Sequence, residues 1–297
     1  MTDELATVLD LVRYATSRFA AAGLVFGHGT AEPFDEAVFL VGEALELPTE
    51  RMDLFYPARL TAPERTLVLG LIEERIASRK PAPYLVNRAY MHGLPFYVDE
   101  RAIVPRSYLG EVLGSDMMAG EEHALLPEAP ARVLDLCTGS GCLAVLAALR
   151  FPEAAVDAVD LSPDALEVAR INVADYGLEE RVSLFAGDLY SLLPPRARYD
   201  LILSNPPYVD AEAMAGLPPE YRHEPAMALA AGEDGLAIVA RIIEGASRRL
   251  SPGGGLLCEI GRVRPALEDR FPELPFLWLD TEASSGEVFW LPAEALR

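Results

Sequence analysis

Four consecutive residues, Asn205-Pro206-Pro207-Tyr208, have the chemical types needed to hold a planar amino group. The asparagine supplies an amide carbonyl, and Pro206 supplies a backbone carbonyl at a position whose φ is nearly fixed. Pro207 restricts Pro206 to an extended conformation, while Tyr208 offers a flat aromatic face. Asn-Pro also marks ordinary turns, but the chain contains only three asparagines. We therefore predict a rigid corner with two acceptors for an –NH₂ group beside a stacking surface.

A second candidate segment spans residues 135–141, Asp-Leu-Cys-Thr-Gly-Ser-Gly, at the end of an apolar run. Gly139 and Gly141 permit a tight turn and close approach of the backbone to a ligand. A helix predicted from Cys142 would direct its first N–H groups at that ligand. The segment also fits the dinucleotide pattern G-x-G-x-x-A, with Asp160 placed to bind ribose hydroxyls. These features alone leave an NAD enzyme open.

Three acidic or polar positions at successive strand ends favour a different cofactor. Asp135 precedes the glycine loop, where a carboxylate suits a cation better than a pyrophosphate. Asp188 closes the third predicted strand and can accept from an adenine amino group, with Leu189 beside the ring. Either aspartate alone would be a cap or an exposed strand end. As an ordered set with the Asn205 corner, they predict methyl transfer from S-adenosylmethionine.

The elements that must position these residues alternate between strand and helix from residue 132 onward. Strands are predicted at 133–136, 155–159, 182–185, 199–203, 256–260, 276–279 and 287–291. Helices are predicted at 142–150, after the Ser162 cap with Pro163 at its first position, and at about 235–250. The alternation predicts an α/β fold in which helices cover both faces of a parallel sheet. Ligands bind at the carboxyl ends of such strands.

The first third of the chain is predicted to be a small helical domain. Apolar residues recur at helical spacing over 3–22 and about 34–45, and the Thr61–Glu64 capping box opens a helix to about 79. Short runs at 89–92, 96–98 and 102–104 predict a hairpin between two domains, followed by a helix to about 118. The predicted domains are 1–87, a helical substrate-recognition domain; 88–106, a β-hairpin linker; and 107–297, the methyltransferase domain.

Composition and charge restrict the kind of protein. With 51% hydrophobic and 24% charged residues, the chain is typical of a globular protein. No apolar run approaches the roughly 20 residues of a membrane span. The acidic start, Met1 to Glu4, has no secretory character, so we expect a cytoplasmic protein without membrane contact. The three cysteines lack metal-site spacing, which predicts reduced thiols and no metal.

The net charge of −21 bears on partners. Such a surface repels a phosphate backbone and attracts basic proteins, although an acidic surface can also serve solubility alone. We therefore expect a basic protein substrate and no direct binding of DNA.

These motifs resemble the N(5)-glutamine methyltransferases of the translation apparatus over nearly the whole chain. The resemblance implies a Rossmann-like class I methyltransferase sheet, with the Asn-Pro-Pro-Tyr corner holding a glutamine side-chain amide. The implied catalytic residues are Asn205, Pro206, Pro207 and Tyr208. The implied residues for S-adenosylmethionine, and for the product S-adenosylhomocysteine, are Phe96, Asp135, Cys137, Thr138, Gly139, Ser140, Gly141, Asp160, Asp188 and Leu189.

The glycine loop, Gly27-His28-Gly29-Thr30 and the segment 221–225 are similar to the branch that acts on the third protein of the large ribosomal subunit. The branch that acts on peptide chain release factors is the alternative. One departure from the family is Cys137, which stands where glycine is usual and should narrow the pocket. No neighbouring His or Lys would activate this thiol as a nucleophile.

The resemblance and the residues together give a mechanistic hypothesis. The glutamine amide donates its two hydrogens to the Asn205 oxygen and the Pro206 carbonyl, and Tyr208 packs on the amide plane. These bonds return electron density to nitrogen, and alignment lowers the entropic barrier. No dedicated base is required, with His223 as the alternative.

A DNA adenine-N6 methyltransferase uses a similar corner but is disfavoured by the charge, and a non-catalytic binding module is disfavoured by the intact corner.

Overall fold

The computed structural model describes residues 4–119, 124–282 and 284–296. Most of the acidic start on which the cytoplasmic prediction depends, residues 1–3, lies outside these ranges. Within them, no helix has both the length and the apolar character required to span a membrane.

The N-terminal part is a helical layer with its own hydrophobic core. Its helices are α1 (Val8–Ala21), α2 (Pro33–Ala44), α3 (Ala62–Ser78) and α4 (Ala82–Val86). The Thr61–Glu64 capping box opens α3 as predicted, and a second box, between Thr7 and Asp10, opens α1 five residues later than predicted. The core they enclose draws only on residues 5–86. This layer can therefore pack largely independently of the sheet.

A two-stranded hairpin follows this layer. It consists of β1 (Ala89–Met91) and β2 (Leu94–Phe96). His92 and Gly93 form its turn with φ of 51° and 76°, since a two-residue type I′ turn needs positive φ at both positions. The prediction of strand beyond Phe96, at 97–98 and 102–104, was wrong, because β1 begins at Ala89, opposite Phe96, and offers no partner for the residues that follow. Residues 97–107 instead run as an irregular segment into the short helix α5 (Leu109–Gly114).

The rest of the chain forms a seven-stranded sheet within the described residues. Its strands are β3 (Arg132–Leu136), β4 (Ala155–Asp160), β5 (Val182–Ala186), β6 (Tyr199–Ser204), β7 (Leu250–Glu259), β8 (Leu277–Leu279) and β9 (Val288–Pro292). The helices around it are α6 (Cys142–Arg150), α7 (Pro163–Asp175), α8 (Ala211–Gly216), α9 (Ala237–Ala246) and α10 (Arg264–Arg270). The strand order is β5-β4-β3-β6-β7-β9-β8, and a hydrophobic core lies on each face of the sheet.

The expectation of a wholly parallel sheet needs one correction. Strands β3 to β7 pair in parallel, but β9 is antiparallel to both β7 and β8. The loop from β8 to β9 spans only residues 280–287, which is shorter than the dozen or so residues a parallel crossover needs. The chain therefore returns in the opposite direction at this edge.

The strand order reverses between β3 and β6, and this places the site. From β3 the chain moves outward through β4 and β5, then returns to β6 and moves outward to β7. Leu136 and Ser204, the last residues of β3 and β6, are direct partners in the parallel register. The glycine loop and the Asn205 corner thus leave adjacent strand ends, where an open α/β sheet forms its ligand crevice.

Candidate active site

A cavity of about 350 Å³ lies over these strand ends, within the usual size of small-molecule sites. The loops after β3, β4, β5 and β6 line it, together with parts of the segments 101–106 and 217–230. The predicted site residues on its wall are Cys137, Gly139, Asp160, Asp188, Leu189, Asn205, Pro206, Pro207 and Tyr208. The fold therefore brings the whole predicted corner together with five predicted cofactor residues.

The side chain of Asn205 is held in one orientation by its neighbour in space. Its Nδ2 donates a hydrogen bond of 3.2 Å to the backbone carbonyl of Arg106. Because the nitrogen is used in this bond, Oδ1 is the atom left to accept from a ligand. The end of β6 is itself fixed, since the buried Ser204 hydroxyl donates to the Leu136 carbonyl at 2.8 Å.

The Tyr208 ring is fixed from two sides. Its hydroxyl donates to Oε1 of Glu259 at 3.2 Å. On another side, a Cβ on Gly261 would lie 2.7 Å from the ring, so only glycine leaves room there. Gly261 also has φ of 55°, a conformation that glycine adopts at little cost. The aromatic face at the cavity is thus preorganised.

Glu259, at the end of β7, is a site residue that the motifs did not reveal. Its buried carboxylate also accepts from the Ser107 hydroxyl at 2.7 Å and the Tyr108 amide at 2.9 Å. Burial raises its pKa to about 7, although these three donors lower it. The signal in the sequence was a single acid inside the apolar run 256–260.

The glycine loop is tied to the next strand through Asp160. The Gly139 amide donates to one oxygen of this carboxylate and the Ser162 amide to the other, both at 2.8 Å. Cys137 has φ of 59°, which lies in the left-handed region that glycine adopts at little cost. Burial raises the pKa of the Cys137 thiol above its ordinary value, which disfavours a nucleophilic thiolate.

Asp135 lies directly beneath the loop rather than on the cavity wall. It is fully buried, and the Thr138 hydroxyl donates to its Oδ2 at 2.5 Å. Its Oδ1 has no hydrogen-bond partner among the described residues. Burial raises the pKa of Asp135 to about 7. A buried carboxylate oxygen without a donor is compatible with a cationic ligand group bound nearby.

Three other predicted residues of the loop connect it to neighbouring elements: Thr138, Ser140 and Gly141. The Thr138 amide donates to the Val159 carbonyl, and the Ser140 carbonyl accepts from the side chain of Asn172 at 2.8 Å. At Gly141 a Cβ would approach Ala169 to 3.0 Å, so glycine permits close packing of α6 on α7. None of the three lines the cavity.

Phe96 does not line the cavity either, which corrects its predicted place. Its ring is 1% exposed and lies 5.6 Å from the ring of Tyr176 in the core on one face of the sheet. The side chain points into that core because the hairpin ends there, in register with Ala89. The apolar residues that the irregular segment 97–107 contributes to the cavity are Ala102 and Ile103.

Two further predicted residues have partners within the protein. The Asp188 carboxylate, on the cavity wall, accepts from Arg241 at 2.7 Å, and both side chains are about half exposed. His223, the alternative base, faces the N-terminal helices. Its Nε2 lies 2.9 Å from the Ser78 carbonyl, and its Nδ1 lies 3.6 Å from Glu100. His223 therefore does not reach the cavity.

The sheet has one antiparallel strand, and its glycine loop lies where the strand order reverses. These two features are those of a Rossmann-like class I methyltransferase. A family model described as "Methyltransferase small domain" matches residues 115–217. Proteins named ribosomal protein uL3 glutamine methyltransferase match almost the full length. The one from Bradyrhizobium diazoefficiens is 58% identical, covering 99% of this chain and 92% of that protein.

The corresponding proteins of Burkholderia pseudomallei and Bordetella pertussis are 54% and 50% identical. They cover 98% and 99% of this chain, and 95% and 97% of their own lengths. The chain belongs to the ribosomal protein uL3 glutamine methyltransferase family. This confirms the predicted family and favours its ribosomal branch over the release-factor branch.

Proposed function

We propose that this protein transfers a methyl group from S-adenosylmethionine to the side-chain amide nitrogen of a glutamine in ribosomal protein uL3. The observation that carries the proposal is the fixed amide of Asn205, whose nitrogen bonds the Arg106 carbonyl and leaves its oxygen as an acceptor on the cavity. A primary amide has two hydrogens to donate. The Asn205 oxygen and the Pro206 carbonyl supply two acceptors at one corner.

The residues of the chain act by orientation and by polarisation. Accepting both amide hydrogens returns electron density to a nitrogen whose lone pair is otherwise delocalised, and fixes its direction. The Tyr208 ring, held by Glu259 and Gly261, limits the amide to one plane. S-adenosylmethionine supplies the electrophilic sulfonium methyl. The methylated amide can lose its extra proton to solvent, so no dedicated base is needed.

The residues present fit S-adenosylmethionine. Asp160 and Asp188 provide acceptors on the cavity wall, Leu189 and Ile103 provide apolar contacts, and Gly139 keeps the loop backbone accessible. Asp135 provides a buried carboxyl group beneath the loop. The loop conformation depends on contacts with neighbouring elements made by Thr138, Ser140 and Gly141. Phe96 is not part of this proposed set.

The acidic charge of −21 suits a basic ribosomal protein and disfavours a DNA duplex as the substrate. We assign recognition of uL3 to the N-terminal domain, residues 1–87, because its segment around Val25 and His28 contacts the loop that follows the catalytic corner. A ribosomal protein substrate also favours the predicted cytoplasmic location.

The test offers the full chain three acceptors with labelled S-adenosylmethionine: purified uL3, a peptide chain release factor and an adenine-containing DNA duplex. We expect label on uL3, located by fragmentation mass spectrometry on the side-chain nitrogen of a glutamine. Label only on the release factor or the duplex would overturn the proposed substrate. Label on a residue of uL3 other than glutamine would overturn the proposed chemistry.

A further inference from the structure

A buried carboxylate outside the predicted site is bonded to the residue that orients Asn205. Glu224 lies 16 positions beyond Tyr208, and its side chain is inaccessible to solvent. Both of its oxygens accept from the guanidinium of Arg106, each at 2.6 Å. Such a two-point pair fixes both direction and distance.

The same carboxylate also fixes the backbone leading to Arg106. Its Oε1 accepts from the Val104 amide at 3.1 Å, so Glu224 holds the segment 104–106 at both ends. The carbonyl of Arg106 is the acceptor for Nδ2 of Asn205. A continuous series of bonds therefore connects Glu224, through Arg106, to the side chain that accepts the substrate amide.

On its other side, Glu224 meets the N-terminal domain. Nε2 of the buried His28 lies 3.6 Å from Oε2 of Glu224, and the His28 ring lies 4.3 Å from the ring of Tyr221. The guanidinium of Arg106 lies 5.7 Å from the same Tyr221 ring. The glycine-flanked turn around His28 thus packs on the group that holds Arg106.

We propose that Glu224 is a positioning residue for methyl transfer, which fixes the Arg106 carbonyl so that the Asn205 oxygen faces the substrate amide. This inference rests on the proposed function. Burial alone would raise the pKa of Glu224, but the hydrogen bonds and charge of Arg106, together with the neighbouring His28, outweigh burial and hold it at about 2. The carboxylate is therefore ionised near neutral pH. Removing its charge leaves the Arg106 guanidinium without its anionic partner.

Glu220 offers a matched control in the same loop. Its buried carboxylate accepts from the Val25 amide at 3.0 Å and pairs with Arg79 at 2.9 Å. It joins the same loop to the same domain but makes none of the bonds to Arg106. Glu220→Gln should therefore lower the stability without changing how Asn205 is held.

The experiment compares Glu224→Gln with Glu220→Gln in uL3 methylation. For Glu224→Gln we expect kcat to fall by about tenfold to a hundredfold, since misplacement near 1 Å can cost that much. The KM for uL3 and the Kd for S-adenosylmethionine should change little. Glu224→Asp, which keeps the charge, should recover part of kcat. A loss confined to KM or to thermal stability would overturn the proposal.

A double-mutant cycle with Asn205→Ala, followed by single-turnover transfer of label, separates positioning from general destabilisation. If Glu224 acts through Asn205, Glu224→Gln should have little further effect once Asn205 is alanine. If Glu224→Gln instead lowers the rate of the Asn205→Ala protein by the same factor as that of the wild type, the proposal is contradicted. If Glu224→Gln does not fold, Glu224→Asp takes its place in the cycle with the same criterion. Absence of uL3 methylation by the wild type would instead reject the proposed function.

Discussion

The side-chain nitrogen of Asn205 lies 3.2 Å from the backbone oxygen of Arg106, a residue 99 positions earlier in the chain. Because the nitrogen is used in this contact, the amide oxygen is the atom of Asn205 left to accept a hydrogen bond. The contact also shows that the Asn205 corner depends on the segment between the hairpin and α5, outside the sheet that carries the corner. The rigidity of Pro206 and Pro207 fixes the second acceptor locally, whereas the first is fixed by this long-range bond.

The first prediction concerns Asn205→Ala. Removing this acceptor should lower kcat by about a hundredfold or more, while the Kd for S-adenosylmethionine changes little because the glycine loop is untouched. Transfer of label to uL3 measures the first quantity, and calorimetric titration the second. Asn87→Ala is the control, since its side-chain nitrogen also donates to a backbone carbonyl, that of Val98, at 3.1 Å. Comparable losses of kcat in both variants would argue against a specific role of Asn205.

The second prediction separates the position of Tyr208 from backbone strain. Gly261 and Gly23 have φ of 55° and 58°, so the backbone strain of an alanine should by itself lower the unfolding free energy by about 1 kcal/mol at either position. A Cβ at Gly261 would meet the Tyr208 ring, whereas at Gly23 nothing lies within 4 Å. We therefore expect only Gly261→Ala to lower kcat in the uL3 assay. Equal kcat in the two variants would show that the ring position is unimportant.

Parts of this architecture could be predicted from local sequence and parts could not. The apolar runs that alternate with helical patterns predicted the position of each strand of the seven-stranded sheet. The stiff Asn-Pro-Pro-Tyr corner predicted where the cavity lies. The partners that orient the corner could not be found, because Glu224 and Arg106 are 118 residues apart and only the fold brings them together. Phe96 was misplaced because its role came from the family resemblance, which does not determine whether the Phe96 side chain at the end of β2 faces the cavity or the core.

The third prediction follows from the raised pKa of Glu259, about 7 against an ordinary value of 4.5. Between these values the folded state binds more protons than the unfolded state, so the unfolding free energy decreases as pH rises. Glutamine does not titrate. The stability of Glu259→Gln relative to wild type should therefore increase with pH across this window, by at most about 1.4 kcal/mol per pH unit.

Urea unfolding of both proteins at about pH 5, 6 and 7 measures this difference. Contributions of other titrating groups, including Asp135, are present in both proteins and cancel in the comparison. A difference that does not vary with pH would mean that Glu259 titrates near its ordinary value.

The fourth prediction concerns the net charge of −21. If the acidic surface attracts a basic substrate, the KM for uL3 should increase with salt, because screening shortens from about 10 Å at 0.1 M to about 3 Å at 1 M. Steady-state methylation at several salt concentrations measures this, with the Kd for S-adenosylmethionine as the internal comparison. An unchanged KM would leave solubility as the role of the acidic surface.

The last prediction concerns Cys137, a residue with a Cβ at a left-handed position of the glycine loop. Its φ of 59° strains any residue with a Cβ by about 1–2 kcal/mol, and Cys137→Gly would relieve that strain. Glycine also gains freedom in the unfolded chain and removes the contacts of Sγ with the core. These effects oppose each other, so we expect a change in unfolding free energy within about 1 kcal/mol. Because burial raises the pKa of the Cys137 thiol, formation of a nucleophilic thiolate is disfavoured, and we expect kcat to be retained. Loss of turnover in Cys137→Gly, with S-adenosylmethionine still bound, would assign the thiol a part in the reaction.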